Sequence, residues 1–229
     1  MVLFKSTTVF AQEDYYKNGN NVVLSKHEYE FISNIYWEGY QEYLTLNDYN
    51  DIKLMDLFDK PITKTTIEYN EIPVTRGSSV TSNLRTLTIA KSCSDNCMIT
   101  LVNKWNGIPS IKSYDVFGAR VTGVSILDIR NALVSGKNYA KSYTNPQTFS
   151  NGFGYSILVP NTEGIKTTVT FVTSKGGKIY GSYQHSMKNT TESISKQYSI
   201  DVGGYGKVFN FIGSTRTVYE NSPGVDIDV

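Results

Sequence analysis

The chain has 229 residues, room for one large β domain or two small ones, and a globule of this length holds a core without metal or disulfide staples. Its 22 basic and 21 acidic residues leave a formal charge of +1, which argues against nucleic acid or an anionic membrane as the principal partner. Only 19% of residues are charged, while there are 17 Tyr and 10 Phe, a balance that favours strands and contact surfaces.

Residues 3–10 read as a short strand, and Asn18-Gly19-Asn20-Asn21 is a turn signal. Ser25 and Glu28 are spaced as a capping box. After it, Phe31, Ile32, Ile35, Tyr36, Tyr40, Tyr43 and Leu44 recur at helical spacing, so a helical element is expected near 25–45, with Gly39 as its weak point. Asn47-Asp48-Tyr49-Asn50-Asp51 reads as the turn that closes it, and residues 51–59 are of uncertain type. Residues 62–75 read as β, and residues 84–88 and 98–102 as two strands joined by the Cys93–Cys97 turn.

A second capping box, Ser125 with Asp128, predicts a short helix carrying Ile126, Ile129, Ala132 and Leu133 on one face. The polar stretch 137–154 is expected to be a loop ordered by a partner, and it marks a possible sub-boundary. Ile165, Thr167, Val169, Phe171 and Thr173 alternate with their neighbours, and residues 179–186 run back after a glycine turn, which predicts a hairpin. Further strands are expected at 197–202, 207–212 and 215–219. The tail 225–229 alternates Val225, Ile227 and Val229 with Asp226 and Asp228, as a strand added to a neighbour's sheet would. The expectation is a mainly β fold, 1–229 as a single domain, with one or two helices and antiparallel sheets in a sandwich or barrel with long loops.

No catalytic, cofactor or metal site is expected. His27 lies in a helix cap and His185 at a strand end, each read as structural or exposed. Gly203-Gly204-Tyr205-Gly206-Lys207 lacks the spacing of a phosphate loop and reads as a turn. Residues 47–51 lack the spacing of a calcium loop. Glu13 with Asp14, or Glu68 with Glu71, are read as solvated rather than as a glycosidase pair. The Asn189-Thr190-Thr191 acceptor pattern has no meaning without a secretion signal. Cys93 and Cys97 admit three readings: reduced thiols at a hairpin turn, a local disulfide, or metal ligands. Chelators and reductants are accordingly expected to leave the fold intact. Tyr15, Tyr16, Tyr36, Trp37, Tyr40 and Tyr43 admit core, protein-contact and sugar-stacking readings.

In composition and layout, across residues 139–155, 165–186 and 197–219, the chain resembles virion structural proteins of tailed bacteriophages, such as tail, neck-ring or baseplate subunits. The resemblance implies a non-enzymatic subunit of a symmetric ring. It would assemble with itself and other virion proteins, be made in the host cytoplasm without a signal peptide, and have no specific nucleic acid and no membrane span. A carbohydrate- or receptor-binding β module is the alternative.

Overall fold

The structure is a computed structural model that describes residues 14–70, 84–196, 198–199, 210–211, 219–220 and 224–229. It begins with a two-stranded ribbon, β1 (Tyr15–Lys17) and β2 (Val23–Ser25), that runs directly into α1 (Lys26–Ile35). Ser25 Oγ accepts from the Glu28 N–H and Glu28 Oε2 accepts from the Ser25 N–H, so the expected capping box is formed. Phe31, Ile32 and Ile35 make the buried face. The helix stops there, short of the predicted 45. Gly39 takes φ 91°, where a side chain would be strained, and only a 3₁₀ turn at Tyr40–Glu42 follows.

A second capping box, Thr45 with Asp48, starts α2 (Leu46–Leu54). Residues 47–51, expected as a helix-ending turn, are therefore the body of a helix. The signal was present: Thr45 and Asp48 have N-cap and N3 spacing.

The β region then runs through β3 (Ile62–Asn70), β4 (Leu84–Cys93), β5 (Cys97–Trp105), β6 (Tyr114–Thr122), β7 (Ile126–Ile129) and β8 (Ala132–Gly136). It continues with β9 (Tyr139–Tyr143), β10 (Gln147–Phe149), β11 (Gly152–Leu158), β12 (Lys166–Thr173) and β13 (Lys178–Gln184). A four-residue helix α3 (Glu192–Ser195), the short pair β14 (Tyr198–Ser199) and β15 (Asn210–Phe211), and β16 (Val225–Asp228) complete it. The fold is mainly β, as expected, and every described strand pair is antiparallel. The predicted strand at 3–10 and the turn at 203–207 lie outside the described residues, as do most of 197–202, 207–212 and 215–219, Glu13 and Glu71.

Two sheets face each other. One has the order β3-β4-β5-β12-β8-β9, with β7 also paired to β12; the other is β10-β11-β6-β13-β16. Leu87, Ile99, Leu101, Val169 and Phe171 from the first meet Phe117, Phe153, Ile179 and Tyr183 from the second in one core. Gly181 lets the sheets approach: a Cβ there would lie 2.3 Å from Leu101 Cδ1. The opposite face of the larger sheet, through Ala90 and Met98, packs on Phe31, Ile32, Ile35, Leu44, Ile52 and Leu57 of the helical layer. Because β5 is covered on both sides, it reads as a nearly continuous buried run rather than an alternating one.

Four expectations are corrected. The helix expected after Ser125 is β7 and β8, both laid on β12. A lone capping box offers about 1 kcal/mol, whereas this pairing satisfies whole backbone segments and buries Ala132 and Val134. The expected loop 137–154 is ordered within the chain as β9, β10 and the start of β11. Tyr139 and Tyr143 alternate with exposed Ala140 and Ser142 and pack against the core, and Asn138, at φ 56°, makes the turn from β8. The hairpin expected across 165–186 does not form: β12 and β13 lie in different sheets and present Phe171 and Ile179 to the shared core. The tail is not spare either. β16 pairs with the chain's own β13, Gly181 opposite Val225 and Ile179 opposite Ile227.

Of the three cysteine readings, the structure has the disulfide, Cys93–Cys97, closing the β4–β5 hairpin with a Cα separation of 4.1 Å. Its short loop limits the entropic gain to about 2 kcal/mol, because the ladder on either side already holds the turn. The expectation that reductants leave the fold intact therefore becomes a modest effect. Dithiothreitol should lower the melting temperature by roughly 4–8 °C without loss of β circular dichroism. An unchanged melting point would show the bond to be energetically silent.

Candidate functional site

The cleft between the helical layer and the larger sheet has a volume of about 450 Å³. Its floor is Thr168 and Thr170, the side of β12 that faces away from the sandwich core, beside Leu133 of β8. One wall is Tyr36, Tyr40 and Tyr43, which follow α1, with Thr45, Asn47 and Asp48 at the start of α2. The other wall is Asp128 and Ile129 at the end of β7, Arg130 and Asn131 in the link to β8, and Ser142 of β9.

The tyrosines divide by role. Tyr36 and Tyr40 are stacked face to face, with centroids 3.9 Å apart and planes at 2°. Both are buried, and burial raises both phenol pKa values above the ordinary 10, with Asp48 adding to the shift. Their hydroxyls therefore stay protonated. Tyr43 is half-buried and completes the rim. Trp37 packs edge-on against Tyr40, while Tyr15 and Tyr16 are exposed on the ribbon.

Arg130 organises the charges. Its Nη2 pairs with Asp51 at 2.7 Å and its Nε with Asp128 at 2.8 Å. Its main chain is fixed too: the Arg130 N–H donates to the Thr170 carbonyl, and the Arg130 carbonyl accepts from Tyr155 Oη. Asp48 accepts from the Thr45 N–H as part of the helix cap. Deeper in the floor, Thr168 is 2% exposed, and its Oγ1 has no hydrogen-bond partner among the described residues. Sequence reading had singled out the tyrosines and the 47–51 segment. It missed Asp128, Arg130, Asn131, Ser142 and Thr168, which become neighbours only through the register of β7, β8 and β9.

A second polar cluster lies at one end of the sandwich core. Asp115 is fully buried and accepts four hydrogen bonds: from Tyr183 Oη at 2.6 Å, His185 Nδ1 at 2.8 Å, the Ser186 N–H at 2.9 Å and Ser186 Oγ at 3.1 Å. Serine, histidine and aspartate are thus together, but the carboxylate sits between the other two and the serine hydroxyl donates to it. That order holds a core rather than activating a nucleophile. Beside it, Arg85 is sandwiched between the rings of Tyr69 and Trp105 and ion-paired with Glu220. Burial pulls its guanidinium toward the neutral form, and Tyr69 and Glu220 more than offset that, so its pKa lies above the ordinary value.

His185 is buried, as one of its two readings had it, and His27 is exposed, its ring nitrogen 2.8 Å from the Phe58 carbonyl and 3.2 Å from Asp59. Asp14 and Glu68 are exposed, and the carboxylate paired with each in the sequence reading, Glu13 and Glu71, lies outside the described residues. No helix among the described residues is long and apolar enough to cross a membrane.

No family profile matches the chain, and no curated protein matches it. Among solved structures it is similar to the enzymatically active domain of tailspike protein 4 of bacteriophage CBA120, at 10% identity and a TM-score of 0.26. That match takes in 56% of this chain and 19% of the other. At that level it carries no argument about fold or activity. The class defined by the coordinates is a two-sheet antiparallel β protein with a helical layer on one face and a polar cleft beneath that layer.

Proposed function

We propose that the chain is a structural subunit of a tailed-phage virion, in the tail or neck, that forms a symmetric ring with copies of itself and docks other virion proteins, without enzymatic activity. The observation that supports this is the outer edge of β3. Nine residues run there with no strand on the outer side among the described residues. At roughly 3.3 Å per residue, that is a hydrogen-bonding edge about 30 Å long. Thr63, Thr65 and Thr66 are exposed along it, and only Lys64 and Glu68 interrupt with charge. Monomeric proteins blunt such edges, and assembling ones use them to add a partner's strand. At the start of β3 an open groove of about 620 Å³ has both apolar walls, Phe31, Phe58 and Ile62, and polar ones, Glu30, Asp59 and Lys64, for whatever follows the edge.

Native mass spectrometry of the purified chain tests the reading. The expected result is a closed oligomer that Thr65→Lys, which places a charge on the edge, reduces to monomer without lowering the melting temperature. A monomer that stays monomeric with every virion protein offered would sink it.

A further inference from the structure

We propose that the cleft between the helical layer and the larger sheet binds a neutral saccharide of one or two sugar rings. This inference is independent of assembly, since the cleft lies on the helical face of the sheet and not at the β3 edge.

Size comes first: about 450 Å³ is within the range of small-ligand sites. Charge then selects among small ligands. Asp48 and Asp128 line the cleft against the single Arg130, whose charge is also shared with Asp51 behind it, so a phosphate or carboxylate ligand is repelled. A metal cation fares no better, because Arg130 already fills the position between Asp51 and Asp128. What remains is a neutral molecule with many hydroxyls, each of which both donates and accepts.

The walls match that requirement. Asp128 accepts, and Asn47 and Asn131 do both. Of the five N–H donors of Arg130, two are taken by its carboxylate pairs, which hold the guanidinium in place and leave the others for a ligand. Thr168 supplies the most direct pointer to a ligand. Its hydroxyl is buried at the cleft floor with no partner among the described residues, which costs free energy that a ligand group seated against the floor would offset. Tyr43, half-buried at the rim, offers a ring against which the apolar face of a sugar can lie.

The test is saturation-transfer NMR of the full chain with maltose, cellobiose, lactose and diacetylchitobiose, and with sialyllactose as the acidic probe, followed by titration of any binder. The expected result is saturable binding of at least one neutral disaccharide. Asn131→Ala and Tyr43→Ala should each weaken it about tenfold with an unchanged melting temperature. Tyr43→Phe should retain it, because the ring and not the hydroxyl makes the contact. Binding of no neutral sugar overturns the proposal. So does tighter binding of sialyllactose than of every neutral probe, or equal binding by the Asn131→Ala variant.

Discussion

Deleting residues 225–229 is expected to destabilise the chain itself, not merely its association with other chains. Val225 is 2% exposed and Ile227 6%, and both sit in the shared core opposite β13. Full burial of such side chains contributes about 1.5–3 kcal/mol each. Two of them give roughly 3–6 kcal/mol, an upper figure because the unfolded chain already buries some of that surface. Val229 adds backbone bonds, its carbonyl accepting from Gly176 and Gly177 and its N–H donating to the Gly177 carbonyl. Against a total stability of about 5–15 kcal/mol, the loss is large. The truncated chain should melt roughly 10 °C or more below the full one by circular dichroism. A truncation that melts normally but no longer assembles would return the tail to the intermolecular role that its sequence alone suggests.

Asp115→Ala is expected to be the most damaging single substitution. It removes one acceptor and strands four buried donors, on Tyr183, His185 and Ser186. Each unsatisfied buried donor costs about 1–3 kcal/mol, and partial relaxation brings the sum to roughly 3–5 kcal/mol. Asp115→Asn keeps the shape and one carbonyl oxygen, so it should fall between wild type and Ala. Urea denaturation should rank the three in that order. An alanine variant within about 0.5 kcal/mol of wild type would mean that water takes the place of the carboxylate.

The elements legible in the sequence are those whose signal is local. Ser25 and Glu28 announce α1, the alternation through Val169 and Phe171 announces β12, and Gly39, beyond the end of α1, sits at the start of the 3₁₀ turn. The misread elements depend on partners distant in sequence. Ile126 to Leu133 has helical spacing, yet β12 is there to pair with it. β12 and β13 read as a hairpin because period-two alternation specifies a face and not a neighbour; here each faces the other across the core. Asp115 and Glu220 carry no pattern at all before folding brings them to His185 and Arg85. The cleft was half visible, through its tyrosines. Much of its polar half comes from β7, the link from β7 to β8, and β9, and only the pairing of those strands brings Asp128, Arg130 and Ser142 to one rim.

The proposed assembly runs through the open edge of β3. Hydrogen exchange resolved along Ile62–Asn70, in the free chain and in the assembly, tests it most directly. In the free chain, amides bonded to β4 should be protected and the alternate, outward amides should exchange freely. On assembly those outward amides should become protected while the rest of the strand is unchanged. Outward amides that exchange at the same rate in both states would contradict it.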